Sequence, residues 1–333
     1  MAVTVNVMPR VAIIGCGLIG QKRAQNLPPG VVTVACDQDL KRAVRLAAQH
    51  PGCAATDSVE QAVYSAQVDV VMISTVNTAL APIARQALQA GRHVLVEKPV
   101  GVCVREIDEL LELAARRGVQ VRAGYNHRYH PAAIKAIELF RSGTLGEMMF
   151  VRGRYGQGGR LGYEKEWRAK PELSGGGELI DQGVHLIDLA GIFLGDFVHV
   201  EGHVARYYWD MPVEDNAFVS LRNAAGHTAW LHASCTEWKN LFSLEIYGRQ
   251  GKLHWEGLGG SYGVERLTYY RMLPEMGPPE TLIYEYPRGD QSWRLEMEEF
   301  FQDIRLARTP QPGLKEARAA LAVVEKLYAR AGR

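Results

Sequence analysis

The segment GCGLIG at residues 15–20 constrains the fold most, because it lies between two segments with different hydrophobic patterns. The run from Arg10 to Gly15 is apolar and β-branched, which predicts a buried strand. Leu18 to Asn26 should form a helix, which a stretch rich in proline and glycine ends. A second strand is predicted for Val31 to Asp37, with an acid at its C-terminal end.

The three glycines match the G-x-G-x-x-G spacing of a dinucleotide-binding turn, and Asp37 follows Gly15 by 22 residues. Gly15 permits the tight turn, Gly17 lets the backbone approach a pyrophosphate, and Gly20 lets the helix pack against the strand. A plain turn between strand and helix is the alternative. The flanking strand and helix and the position of the acid favour the dinucleotide site.

The expected ligand contacts extend beyond the glycines. Backbone N–H groups at the helix start, near Leu18 and Ile19, would face the phosphates. Asp37 would accept hydrogen bonds from the adenosine ribose and repel a 2′-phosphate, and its neighbour Gln38 is not a cation. The sequence therefore predicts NAD as the cofactor, with NADP possible.

Strands and helices alternate up to about residue 125, which predicts a parallel sheet flanked by helices in a domain of residues 1–125. Ligands of such sheets bind beyond the carboxyl ends of the strands. The polar residues that follow predicted strands are therefore candidates for binding cofactor or substrate: Ser74, Thr75, Asn77, Glu97, Lys98 and Asn126.

Residues 126–333 have a different pattern, in which most predicted strands follow one another without helices between them. This order is typical of an antiparallel sheet and predicts a second domain. The segment 258–287 is rich in Gly, Pro and Tyr and gives no clear prediction. Two helices, Ser292–Leu306 and Leu314–Ala331, are expected at the end of the chain.

The stretch GGGELIDQGVHLIDL, from Gly175 to Leu189, predicts a glycine-rich turn that enters a helix. Asp181 and His185 are four residues apart and share a helix face, which Asp188 extends. A carboxylate one turn before an imidazole can orient the ring and stabilise its cation. An exposed ion pair without function is the alternative interpretation.

Composition excludes several other classes of protein. The formal net charge is +1, without the basic field that nucleic-acid binding needs. No apolar run approaches the about 18 residues of a membrane span, and the N-terminal stretch lacks a signal-peptide pattern. The five cysteines are scattered, without a zinc spacing or a disulfide framework. We therefore expect a cytoplasmic protein that has no metal site.

The motifs EKP at residues 97–99, GYNHRYHP at 124–131 and GGGELIDQGVH at 175–185 stand together with the N-terminal glycine turn. This set resembles the glucose–fructose oxidoreductase, inositol dehydrogenase and MocA family (Gfo/Idh/MocA). The resemblance implies an α/β protein with an N-terminal Rossmann domain, whose parallel sheet is doubly wound. It also implies a C-terminal α/β domain with a large, mostly antiparallel open sheet, and a homodimer or homotetramer.

The resemblance also implies roles for particular residues. Lys98, Asp181 and His185 match the catalytic positions of the family. Trp167 and Arg168 match a dipeptide near cofactor and substrate, although a packed indole and a structural guanidinium are the alternative. The chain departs from the family at TVNTAL, where Val76 replaces a proline and Leu80 a histidine.

The expected function is hydride transfer between NAD and a secondary alcohol or ketone of a sugar, sugar nucleotide or cyclitol. His185 would take the hydroxyl proton and Lys98 would stabilise the developing alkoxide. The expected substrate contacts are Lys98, Asn126, Arg168, Asp181 and His185. An NAD-dependent glycosidase and a non-catalytic dinucleotide-binding regulator are the alternatives. For His127 and His130 a structural role is favoured, and the loops 156–163 and 258–279 do not indicate the substrate.

Overall fold

The computed structural model describes residues 8–332, which form two compact units. The first unit comprises the chain up to Gly101, Arg105–Gly124 and Trp293–Ala317. The second comprises Val102–Val104, Tyr125–Ser292 and the chain from Arg318 onward. Residues 1–7, part of the stretch interpreted above as lacking a signal peptide, lie outside the described residues.

The first unit contains a six-stranded sheet in which every pair of neighbours is parallel. Its strands are β1 (Val11–Ile14), β2 (Val32–Cys36), β3 (Ala54–Thr56), β4 (Val70–Ile73), β5 (His93–Glu97) and β6 (Val121–Gly124). The helices are α1 (Leu18–Gln25), α2 (Leu40–Ala47), α3 (Val59–Tyr64), α4 (Asn77–Gln89) and α5 (Val104–Arg117). The order β3-β2-β1-β4-β5-β6 is that of a doubly wound Rossmann sheet, as predicted.

The apolar runs predicted as strands form the centre of this sheet. All four residues of β1 and all four of β4 are buried. A strand covered by helices on both faces needs a continuous apolar run, which is why these segments show no alternation. β3 and α3 were not predicted, because segments of three and six residues leave little pattern.

The helix α9 (Ser292–Arg305) enters the first unit from the end of the chain, so this unit is not confined to the predicted residues 1–125. Glu296 pairs with Arg23 at 2.5 Å, and both side chains are fully buried. Met297 and Phe300 join the hydrophobic core cluster around β1 and β2. These contacts place Trp293–Ala317 in the first unit rather than in the predicted second domain.

The second unit contains an eight-stranded sheet in the order β14-β13-β12-β11-β7-β10-β9-β8. Only the pair β7 and β10 is parallel among these strands, so the sheet is mostly antiparallel, as predicted. The strands are β7 (Met148–Gly156), β8 (Phe197–Ala205), β9 (Asn216–Asn223), β10 (Thr228–Ser234), β11 (Leu241–Gly248), β12 (Gly251–Glu256), β13 (Glu265–Arg271) and β14 (Glu280–Tyr286). The helices are α6 (Pro131–Arg141), α7 (Pro171–Ser174) and α8 (Val184–Leu194), and α10 (Leu314–Arg330) belongs to this unit from Arg318 onward.

β13 and β14 lie in the segment 258–287, for which no clear prediction was possible. β14 is an edge strand with no buried residue, so the alternation of buried and exposed side chains is missing. No helix among residues 8–332 is long and apolar enough to cross a membrane. All five cysteines are free thiols.

Candidate active site

The glycine turn of the first unit has the geometry that a dinucleotide needs. Gly15 has φ +90°, and a Cβ there would lie 2.4 Å from the Ser74 carbonyl oxygen. A Cβ on Gly20 would lie 1.9 Å from the Gly15 carbonyl oxygen. Gly17 differs, because a Cβ would meet nothing within 4 Å among the described residues. Packing therefore requires the first and third glycines, while open space remains beside the second for a pyrophosphate.

Gly17 is the N-terminal cap of α1, which begins at Leu18. Leu18 is exposed and Ile19 is half-buried. The first N–H groups of a helix have no acceptor within the helix. The turn therefore presents donors where an anionic ligand would bind, and the predicted contacts at Leu18 and Ile19 fit this position.

Asp37 lies directly after β2, and its carboxylate is held by the backbone on both oxygens. Oδ2 accepts the Cys16 N–H at 2.8 Å, and Oδ1 accepts the Asp39 N–H at 2.9 Å. The side chain is largely buried against the glycine turn, whereas Gln38 is exposed. A fixed carboxylate here fits a ribose that donates two hydroxyl groups, because each oxygen keeps a further lone pair.

Ser74 and Thr75 follow β4, and Asn77 begins α4. The Ser74 hydroxyl is buried and has no hydrogen-bond partner among the described residues, a situation that a bound ligand or water would relieve. Asn77 is buried, and so is Leu80, which stands where the family pattern has a histidine. Leu80 therefore packs in the core of the first unit and offers no polar contact.

Glu97 and Lys98 have different surroundings at the end of β5. The Glu97 carboxylate accepts a hydrogen bond from Arg23 Nε at 2.8 Å, in the same cluster that holds Glu296. The Glu97 side chain is thus engaged in the packing of the first unit and does not lie open to a ligand. Lys98 is half-buried, and the bond between Lys98 and Pro99 is cis.

The glycine turn of the second unit is held by Glu214, a buried residue that the sequence analysis did not single out. The Glu214 carboxylate accepts the N–H groups of Gly177 at 3.1 Å and Leu179 at 3.2 Å, and the Tyr328 hydroxyl at 2.6 Å. A Cβ on Gly177 would lie 2.0 Å from the Glu214 carbonyl oxygen. The backbone of Glu214 lies so close to Gly177 that no side chain would fit there.

Asp181 and His185 are both buried, which excludes the alternative of an exposed pair. The helix differs from the predicted one, because Leu179–Gly183 form a π turn before α8 begins at Val184. Single π turns often occur at functional sites. Asp188, on the same predicted stripe, is engaged elsewhere: its two oxygens accept Arg128 Nε at 2.7 Å and Nη2 at 2.6 Å.

Arg168 links the WR dipeptide to the candidate acid. Its Nε donates to Asp181 Oδ2 at 3.0 Å, and its guanidinium lies over the Trp167 ring at 4.5 Å. Burial alone would lower the pKa of Arg168, but the Asp181 carboxylate outweighs this effect and the pKa is raised. Arg168 is therefore a permanent cation next to the Asp181 carboxylate.

Aromatic rings surround His185 in the second unit. The ring centroid of His127 lies 3.9 Å away, that of Tyr125 5.8 Å and that of Tyr155 6.0 Å. Burial, followed by the neighbouring Tyr262, holds the pKa of Tyr155 well above its usual value. Tyr155 is therefore a neutral neighbour of His185.

Asn126 and Tyr163 also differ from the sequence-based expectation. The Asn126 amide donates to Ser292 Oγ at 2.9 Å, and its oxygen lies 3.3 Å from His127 Nδ1. Both ends of this predicted substrate ligand thus have protein partners. Tyr163 was missed because it lies in the loop 156–163; its hydroxyl donates to the buried Glu178 at 2.9 Å.

The structure gathers the predicted cofactor residues of the first unit at the carboxyl ends of β1, β2, β4 and β5. In the second unit it joins Arg168 to Asp181 and Asn126 to His127, whose ring contacts that of His185. His127 and Glu178 could not be selected from a pattern, because their partners become neighbours only in the folded chain.

Residues 9–125 match a family model described as an oxidoreductase family with an NAD-binding Rossmann fold. The chain is therefore an oxidoreductase, and its first unit is the NAD-binding domain. Residues 133–254 match the model of the GFO/IDH/MocA C-terminal domain. The protein thus belongs to the Gfo/Idh/MocA family.

The relatives act on different compounds. The chain is 30% identical over 201 residues to dTDP-3,4-didehydro-2,6-dideoxy-alpha-D-glucose 3-reductase of Streptomyces violaceoruber, a match that covers 60% of the chain and 58% of the relative. This segment spans less than two thirds of the reductase. The chain is 23% identical over 318 residues to scyllo-inositol 2-dehydrogenase (NAD(+)) of Bacillus subtilis, which covers 90% of the chain and 87% of the relative.

Among solved structures, the protein is similar to levoglucosan dehydrogenase in complex with NADH and levoglucosan. The TM-score is 0.86 with 19% sequence identity, and the match covers 98% of this chain and 97% of the other. At this identity the likeness shows the fold alone.

Proposed function

We propose that the protein is an NAD-dependent dehydrogenase or reductase that interconverts a secondary alcohol and a ketone on a sugar, sugar nucleotide or cyclitol. The observation that carries the proposal is the cluster of Asp181 and His185, both buried, with Arg168 donating to Asp181, in a chain with an NAD-binding domain. A buried imidazole with an anionic carboxylate in the preceding turn suits proton transfer from a hydroxyl group.

In this proposal the substrate hydroxyl gives its proton to an imidazole nitrogen of His185. The Asp181 carboxylate, fixed by Arg168, stabilises the imidazolium that results. The Lys98 ammonium donates a hydrogen bond to the same oxygen and stabilises its developing negative charge. NAD, when bound, supplies the hydride acceptor.

The substrate class rests on the relatives together with the polar character of the cluster. The reductase acts on a sugar nucleotide and the inositol dehydrogenase on a cyclitol, according to their names. The levoglucosan dehydrogenase is in complex with a sugar derivative. All three compounds contain rings that carry hydroxyl or keto oxygens. Arg168 and Asp181 offer the donors and acceptors that such a ring needs.

We also propose a homodimer or homotetramer that uses the open face of the eight-stranded sheet. Trp230 lies on β10 inside this sheet and is 62% exposed. Tyr207, Tyr208 and Trp238 are exposed as well, but they lie in the segments that connect the strands, and Trp209 packs against the cluster that contains Tyr163. Exposed aromatic groups on a sheet face are typical of an interface.

The test is a screen of sugars, cyclitols and nucleotide sugars for net NADH production by the purified protein. A dehydrogenase should reduce NAD in proportion to the alcohol consumed. A glycosidase that restores its cofactor in each cycle would release a sugar without net NADH, and a regulator would bind NAD without turnover. Either of these results would overturn the proposal.

A further inference from the structure

His127 packs against the ring of the candidate base more closely than the other aromatic rings around it. The centroids of His127 and His185 are 3.9 Å apart and the ring planes are tilted by 39°. His127 is buried and lies in the short turn Asn126–Tyr129. The orientation of His185 therefore depends on how His127 is held.

A chain of hydrogen bonds reaches His127 at its Nδ1. The Ser292 hydroxyl donates to Asp290 Oδ1 at 2.6 Å, and the Asn126 amide donates to Ser292 Oγ at 2.9 Å. The Asn126 oxygen faces His127 Nδ1 at 3.3 Å. The Asp290 side chain is 31% exposed, so the chain begins at a carboxylate in contact with solvent and ends at a buried imidazole.

Each hydrogen bond along this chain can have only one donor and one acceptor. Asp290 takes the single proton of the Ser292 hydroxyl, so Ser292 Oγ can accept only from the NH₂ group of Asn126. This fixes the orientation of the amide and turns its oxygen toward His127. An oxygen acceptor at Nδ1 requires a proton there, which leaves the lone pair of a neutral ring on Nε2.

Among the described residues, three further rings lie near His127. The His130 ring lies at 5.6 Å, and its Nδ1 is engaged by Glu265 at 2.9 Å. Tyr155 and Phe242 complete the ring contacts at 5.1 and 5.8 Å.

We propose that His127 is a positioning residue for His185, kept in its Nδ1–H tautomer by the chain Asn126–Ser292–Asp290. The role in turnover rests on the proposed function, whereas the tautomer does not.

The first measurement is NMR of the full-length protein with isotope-labelled histidine, which distinguishes the two tautomers by the nitrogen shifts. His127→Gln identifies the signal. We expect Nδ1–H in the wild type and a mixture of tautomers in Ser292→Ala. Asp290→Asn, at a partly exposed position, is a milder change in case Ser292→Ala does not fold. Ser142→Ala, at an exposed serine of the same unit, is the control.

The second measurement is turnover on a substrate found in the screen. Ser292→Ala and Asp290→Asn should lower kcat by on the order of tenfold, as partners that orient an imidazole do elsewhere. The Kd of NAD should stay unchanged. An Nε2–H tautomer in the wild type would overturn the proposal, and so would an unchanged kcat when the tautomer is lost. Failure of the proposed function, with no substrate turned over, would leave the tautomer result intact and is thus distinguishable.

Discussion

Arg168 Nε donates a hydrogen bond to Asp181 Oδ2 at 3.0 Å, with both side chains in the second unit. This contact joins the WR dipeptide to the D-x-G-x-H motif, two sequence features that are 13 residues apart. A neighbouring cation favours the ionised form of a carboxylate, and an ionised carboxylate can stabilise an imidazolium. The pair therefore separates the role of Asp181 from that of His185.

Arg168→Gln should lower kcat/KM by roughly 10- to 100-fold, because a hydrogen bond to a charged group is worth about 1.5–3 kcal/mol. The loss should overlap with that of Asp181→Asn in a double-mutant cycle, since the two side chains act as one unit. Steady-state kinetics of the three variants measure this. Full additivity would mean that Arg168 acts directly on the substrate. Arg160→Gln, in an exposed pair with Glu166, is the matched control.

His185→Asn should lower kcat by roughly 10²–10⁴ while the binding of NAD stays nearly intact, because a positioned general base contributes that factor. Lys98→Ala should lower kcat by a similar factor, because it removes the stabilisation of the alkoxide. The fold loss of kcat in the double mutant should be much smaller than the product of the two single losses. Single-turnover kinetics and NAD titrations check both parts. The exposed residues His199 and Lys170 provide the control substitutions, and full activity in both single variants would contradict the mechanism.

The fold was predictable where the pattern is local. The strand β1 and the helix α1 lie within the predicted segments Arg10 to Gly15 and Leu18 to Asn26, because hydrophobic period and end residues lie within each segment. The glycine turn was predictable for the same reason. The segment Trp293–Ala317 was assigned to the wrong side of the boundary, since its pairing with Arg23 spans 273 residues and has no local pattern.

The candidate site shows the same limit. Lys98, Asp181 and His185 belong to short motifs and could be chosen from the sequence. Glu214 could not, because it lies 37 residues after Gly177, whose N–H it accepts. Ser292 lies 166 residues after Asn126, and only the folded second unit brings the two together. The π turn that carries Asp181 also has no sequence pattern that distinguishes it from an α-helix.

The wild type should bind NAD more tightly than NADP, because the fixed carboxylate of Asp37 would repel a 2′-phosphate. Asp37→Asn removes the charge and keeps one acceptor for the N–H groups of Cys16 and Asp39. In this variant the Kd of NADP divided by the Kd of NAD should be smaller than in the wild type, by on the order of tenfold. Isothermal titration with both cofactors measures it, with Asp39→Asn as the neighbouring control. Tighter binding of NADP by the wild type would contradict the assignment.

The protein should form a dimer or tetramer at micromolar concentration. Its measured mass should then be well above the chain mass of 36.9 kDa. Trp230→Glu places a charge on the exposed sheet face and should weaken the assembly. Tyr64→Glu, at an exposed aromatic residue on α3 in the first unit, should leave it intact. Light scattering gives the masses. A monomeric wild type would refute the proposed interface.

Glu245 should contribute to stability in a pH-dependent way. Its carboxylate is almost buried on β11 and accepts hydrogen bonds from Arg152, from Lys252 at 2.6 Å and from Tyr247 at 3.0 Å. Burial alone would raise the pKa of Glu245, but the three donors outweigh it and lower the pKa from 4.5 to about 2. The folded state thus favours the ionised form more than the unfolded state does.

The stabilisation should be fully present above pH 4.5 and should be lost as the pH falls toward about 2. Glu245→Gln should therefore lower the free energy of unfolding by about 1–3 kcal/mol at pH 7, and the difference from the wild type should shrink across that window. Urea denaturation at fixed protein concentration measures this. Glu147→Gln, in an exposed pair with Arg249, should cost less than about 1 kcal/mol. A difference for Glu245→Gln that persists unchanged to pH 2 would mean that its donors stabilise the protein without depending on the charge.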